Sequence, residues 1–131
     1  MEAKEAYNPW ADLVIAMLAV NNYPLERAFS LLEPLTQAGL TDPETLHSSS
    51  EAEIAVKLYE AGYERGPYMT GLFSKRLSAL GREAAKHAID DLSRVLMGTD
   101  ASAIRELLTP VEGVGPRVLH NFLLLRGLVR T

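Results

Sequence analysis

Between its prolines and glycines this chain repeats apolar residues at helical spacing almost from end to end, and hardly any stretch alternates at the spacing of a strand. That pattern predicts an all-α domain. The first helix is expected to open at Asn8, a good N-cap, with Pro9 in the first helical position, where a missing N–H costs nothing. Trp10, Leu13, Val14, Met17 and Leu18 then form its apolar stripe, and it is expected to close near Asn21-Asn22. Pro24 starts a second helix with Leu25, Ala28, Leu31, Leu32 and Leu35 inward and Gly39 at its end. Thr41-Asp42-Pro43 begins a short helical turn reaching His47, and Ser50-Glu51-Ala52-Glu53 is a capping box launching a helix to Gly62.

Further along, Tyr68, Leu72, Phe73, Leu77 and Leu80 keep the period from Arg65 to Leu80. Gly81 is expected to break it, and a further helix from about Arg82 to Met97 carries Ala85, Ile89, Leu92 and Leu96. Gly98-Thr99-Asp100 caps a helix over 101–108. The last helix, from Pro116 to about Val129, is continuously apolar from Phe122 to Leu125, which predicts a central position. No repeat, low-complexity segment or linker divides residues 1–131, so one domain is expected, long enough to bury roughly two-thirds of its unfolded surface.

The segment Val111-Glu112-Gly113-Val114-Gly115-Pro116-Arg117 joins the last two helices and reads as a helix-hairpin-helix turn. Gly113 and Gly115 are expected to take backbone angles that a Cβ would penalise, so the chain reverses tightly and aims consecutive N–H groups at one point. Pro116 opens the next helix, and free N–H groups at a helix N-terminus make a phosphate seat. Gly113, Val114 and Gly115 are therefore candidate phosphate contacts, or simply a tight turn between helices. Arg117 leaves the first turn of the last helix toward the same place, and His120 stands near it. Arg126 and Arg130 either add phosphate contacts or balance a helix C-terminus.

Charge narrows the choice of partner. The whole chain is net -4, which argues against an indiscriminate DNA binder. Residues 1–64 hold 11 acids and 3 bases, whereas 65–131 hold 6 acids and 10 bases, and after Glu112 the only charged residues are Arg117, Arg126 and Arg130. Positive potential is thus local to the hairpin end. The absence of cysteine excludes disulfides, a thiolate nucleophile, Cys-bound zinc and an iron–sulfur cluster. His47, His87 and His120 are too scattered to read as a metal triad, so neither metal nor cofactor is expected. No apolar run reaches the length of a membrane span and MEAKEAYNPW lacks the apolar core of a signal peptide, so a cytoplasmic protein is expected, with no membrane partner.

The helix order, Leu18-Ala19-Val20-Asn21-Asn22, the junction Ala61-Gly62-Tyr63-Glu64-Arg65-Gly66 and the terminal hairpin together resemble the helix-hairpin-helix DNA glycosylase superfamily, especially its endonuclease-III-like branch. The resemblance spans most of the chain and implies the six-helix-barrel domain of such an enzyme, with helices packed orthogonally and the hairpin on duplex DNA. It also places Asn21 and Asn22 where relatives carry a polar residue that fills the gap left by an extruded base. The bland alternative for both is a helix C-cap. Two hallmark positions depart from the family. Arg117 stands where lyase-competent members have a Schiff-base lysine, and a guanidinium is a poor nucleophile. The catalytic aspartate, expected downstream of the hairpin, has no counterpart before Thr131. Glu112 replaces a proline in the hairpin, and Leu119 replaces a small residue that lets the two helices approach.

These residues lead to three expected functions. The first is a DNA-binding module without glycosylase or lyase activity of its own, whose hairpin holds the phosphates of double-stranded DNA. The alternative is a protein-interaction or homodimerisation domain. The third is a monofunctional glycosylase with a non-standard acid such as Glu112. Asp90-Asp91 diverge around a helix and cannot share a site, and Tyr7, Trp10, Tyr23, Tyr59, Tyr63 and Tyr68 are expected mainly as core packing.

Overall fold

A computed structural model describes residues 8–86 and 89–129, the side chains of 89 and 90 excepted. Tyr7, His87 and Arg130, with the side chains of Ile89 and Asp90, lie outside the described residues. Among those described, every regular element is an α-helix: α1 (Pro9–Leu18), α2 (Leu25–Phe29), α3 (Leu32–Gln37), α4 (Pro43–Ser48), α5 (Glu51–Glu60), α6 (Gly66–Ala85), α7 (Ile89–Met97), α8 (Ala101–Leu108) and α9 (Pro116–Leu125). Among the described residues no helix is long and apolar enough to cross a membrane.

The starts are set by local chemistry. Asn8 Oδ1 accepts from the Trp10 N–H (3.1 Å) while its Nδ2 donates to the Thr41 carbonyl (3.2 Å), tying the first helix to the start of α4. Asp42 accepts from the Glu44 N–H, and Asp100 accepts from the Ala103 N–H. At α5 the capping box closes both ways, Ser50 Oγ accepting from the Glu53 N–H (3.1 Å) and Glu53 Oε1 from the Ser50 N–H (2.8 Å). Each such bond satisfies a donor that the helix itself leaves unpaired.

The centre of the molecule is α1, where the sequence pointed to the last helix. All ten of its residues are buried, and α2, α3, α7 and α9 pack around it. Its residues from Leu13 to Leu18 are apolar without interruption, and a helix apolar on every side is stable only inside. In α9, by contrast, Val118 and Asn121–Leu123 are buried while Pro116, Arg117 and His120 face solvent. The two helices run in opposite senses: Asn121 meets the end of α1 at Ala16 and Ala19, and Arg126, just beyond α9, acts electrostatically on Asp12 in the first turns of α1.

Two further expectations are corrected. The segment after Pro24 forms two short helices, because Pro34 has no N–H for the Ser30 carbonyl and its ring crowds that position. The break is closed locally, with Ser30 Oγ donating to the Arg27 carbonyl (2.6 Å) and the Leu31 N–H to the Ala28 carbonyl (3.0 Å). Gly81 does not interrupt α6, which runs for 20 residues to Ala85. The glycine is needed for contact: a Cβ there would lie 2.6 Å from the His47 backbone nitrogen and 2.8 Å from the Leu46 carbonyl carbon. At Gly81, then, α6 presses directly on the backbone of α4, one of the two helices it packs against most extensively.

Candidate nucleic-acid interface

The buried α1 ends at Leu18, three residues earlier than the sequence suggested, and its terminal carbonyls need partners in a place water does not reach. Side chains from other elements supply them. Tyr63 Oη donates to the Leu18 carbonyl (2.7 Å), and Asn121 Nδ2 donates to those of Ala16 (3.3 Å) and Ala19 (3.0 Å). Leaving any one of these groups unpaired would cost roughly 1–3 kcal/mol. Burial pushes the Tyr63 hydroxyl up to about 12, and Arg65 partly offsets it, so Tyr63 remains a donor at neutral pH.

Because α1 is capped from outside, Asn21 and Asn22 are not its C-cap. They form an exposed turn beyond it, both in the left-handed region at φ 57° and 68°. Asparagine tolerates that conformation better than most residues, but two in succession need external support. Arg65 provides it. Its guanidinium donates to the carbonyls of Val20 (2.9 Å) and Asn21 and to Tyr63 Oη (3.1 Å), and lies about 5.0 Å from the centre of the Tyr23 ring.

This turn and the hairpin face each other across one open cleft of about 380 Å³, lined by Asn21, Arg76, Gly113–Pro116 and Arg117. Four of the sequence's candidates besides Asn21 therefore converge here: Gly113, Val114, Gly115 and Arg117. Arg76, on α6, was not foreseen. Its guanidinium packs on Phe73 (5.2 Å) and its stem lies beneath the hairpin, since a Cβ on Gly113 would come within 2.9 Å of Arg76 Cγ. Lys75-Arg76 reads as ordinary solvated helix in the sequence, and only the placement of the basic half of the chain hinted at it. Asn22 stands beside Asn21 outside the cleft lining, and His120 lies on the other side of the hairpin.

The two hairpin glycines do different jobs. Gly113 has φ 88° and touches Arg76, so both backbone and packing require it. Gly115 does not match the expectation of a special backbone: it has φ -100° and ψ -173°, extended geometry open to any residue and favoured before proline. A Cβ there would meet nothing within 4 Å. What Gly115 leaves is open space over the hairpin. Among the described residues, the N–H groups of Gly113, Gly115, Arg117 and Val118 have no protein acceptor.

Electrostatically the cleft is one-sided. Among the described residues no carboxylate lines it, and none lies within 4 Å of Arg76 or Arg117. Glu112 is exposed and lines neither this cleft nor its neighbour. Asp12 is the buried acid among the described residues, but it lies by Arg126, at the opposite end of α9 from the hairpin. Arg126 itself donates to the carbonyls of Leu96 (3.1 Å), Met97 and Gly98 (3.1 Å), closing the end of α7. It is half-buried against the end of α7, away from the hairpin cleft, and so is not the solvated cation at the end of its own helix that the sequence suggested. The chain matches no protein-family model, no curated protein and no solved structure.

Proposed function

We propose that the protein is a double-stranded-DNA-binding module, related to the helix-hairpin-helix DNA glycosylases and their six-helix-barrel domain, that seats a backbone phosphate in the cleft between the hairpin and the Asn21-Asn22 turn. The observation that carries this reading is convergence. Free N–H groups of the hairpin, two arginines without carboxylate partners and an externally braced polar turn meet on one open surface of a protein that is acidic overall. Phosphate is the ligand for which this combination of donors suits best. Arg117 cannot act as a Schiff-base nucleophile, and among the described residues no acid lines the cleft, so the module binds without glycosylase or lyase chemistry of its own.

The test is equilibrium binding to a short duplex at about 50 mM salt, where phosphate contacts count most. Arg117→Glu is expected to weaken binding by roughly tenfold or more, because it removes a phosphate contact and adds repulsion. Gly115→Ala is expected to weaken binding while keeping or slightly raising stability, by about 0.4–1 kcal/mol, since its backbone is already compatible with alanine. Absence of binding by the wild-type protein overturns the reading. One observation favours the second reading, a protein-interaction surface: Val56 (56% exposed) and Tyr59 (61%) stand one turn apart on the outer side of α5. If that reading holds, Tyr59→Ser changes oligomeric state or partner binding and leaves DNA untouched.

A further inference from the structure

The hairpin is a ridge with a cleft on each side. Val114, Gly115 and Pro116 line both the cleft described above and a second one of about 410 Å³ between α8 and α9. The second is walled by Arg105 of α8 and Thr109 at its C-cap, and by Leu119 and His120 from α9. Leu119 is half-buried and lines this cleft.

We infer that this second cleft takes another phosphate of the same DNA strand, so that the backbone crosses the hairpin ridge and is held on both flanks. The inference rests on the DNA-binding reading of the first cleft and adds to it a second contact and a direction for the strand. Three observations carry it. The two clefts share Val114, Gly115 and Pro116 as a common wall, so a single stretch of backbone separates them and nearby phosphates of one strand can lie on either side of it. Arg105 and His120 present nitrogen donors to the cleft from opposite walls, and both side chains are exposed. Among the described residues no carboxylate lines the cleft and none lies within 4 Å of Arg105. The Thr109 hydroxyl is not a further donor, because it is committed to the Arg105 carbonyl (2.6 Å). Val114 and Leu119 offer an apolar floor of the kind that suits the face of a deoxyribose.

The experiment measures duplex affinity against salt concentration for the wild type, for Arg117→Glu and for Arg105→Gln/His120→Gln. The paired glutamine substitutions keep most of each side chain's bulk on exposed positions, and the thermal midpoint checks that the variant folds. The expected result is a loss of about fivefold to tenfold at 0.1 M salt and a log–log slope shallower by about 0.9, the signature of one phosphate contact removed. Wild-type affinity and slope in the paired variant, alongside weakened binding by Arg117→Glu, overturn the second contact and leave the first reading standing. Failure of the wild-type protein to bind overturns both.

Discussion

Asp12→Asn is expected to stabilise the protein at neutral pH by about 2 kcal/mol and to change little near pH 4. Asp12 sits in the first turns of the fully buried α1, is 8% exposed, and accepts no hydrogen bond among the described residues. Burial pushes its carboxyl up from 3.8 to about 6, with the Arg126 guanidinium partly offsetting the effect. Below about pH 4 the group is protonated whether the chain is folded or not, and it imposes no penalty. Between about pH 4 and 6 the folded state binds more protons than the unfolded, so stability falls as pH rises, and above about 6 the full penalty of roughly 3 kcal/mol is present. An amide cannot ionise, so it escapes that penalty, and the expected gain is smaller than 3 because the buried amide must itself be desolvated, at a cost of about 1 kcal/mol. Denaturant melts at pH 4, 5.5 and 7.5 measure it. Destabilisation by asparagine at pH 7.5 contradicts the assignment, since it means that the carboxylate is better paired than the described residues show.

The second large effect is a sign reversal. On helix propensity alone, glycine to alanine in the middle of a helix gains about 1 kcal/mol. Gly71→Ala, with nothing within 4 Å of the new Cβ, is expected to follow that rule. Gly81→Ala, ten residues further along the same helix, is expected to lose about 2–3 kcal/mol and to melt roughly 10 °C lower. The atoms its Cβ would strike are the backbone of Leu46 and His47, which cannot swing aside as a side-chain tip can, so α4 must move away from α6. Equal gains for the two variants contradict the direct contact of these helices.

That pair of glycines also marks where sequence reasoning ends. Caps are local chemistry, and Asn8, Asp42, Ser50 with Glu53, and Asp100 could be read directly because donor and acceptor lie within three residues of each other. A glycine's role is not local. Gly81 has the same sequence signature whether it breaks a helix or lets another helix approach, and only α4 decides. The central helix was legible in principle, since Leu13–Leu18 is a longer apolar run than Phe122–Leu125, but Trp10, Leu13, Val14, Met17 and Leu18 were read as a stripe on one face of a helix that is buried on every side. At the hairpin, the residue types and the Pro116 start were visible. The contact of Gly113 with Arg76 and the ordinary backbone of Gly115 depend on α6 and on dihedral angles, which residue names do not carry. Arg65 was noticed only as part of a junction, and its bond to the Asn21 carbonyl joins residues 44 apart in sequence.

If the hairpin and the Asn21-Asn22 turn together form a nucleic-acid-binding face, titrating a short DNA duplex into isotope-labelled protein while following the backbone amide resonances shows it most directly. Saturable shifts are expected at Asn21, Gly113, Gly115, Arg117 and Val118, with the outer side of α5 around Val56 and Tyr59 unchanged. Shifts centred on α5, or none at low salt, would contradict it.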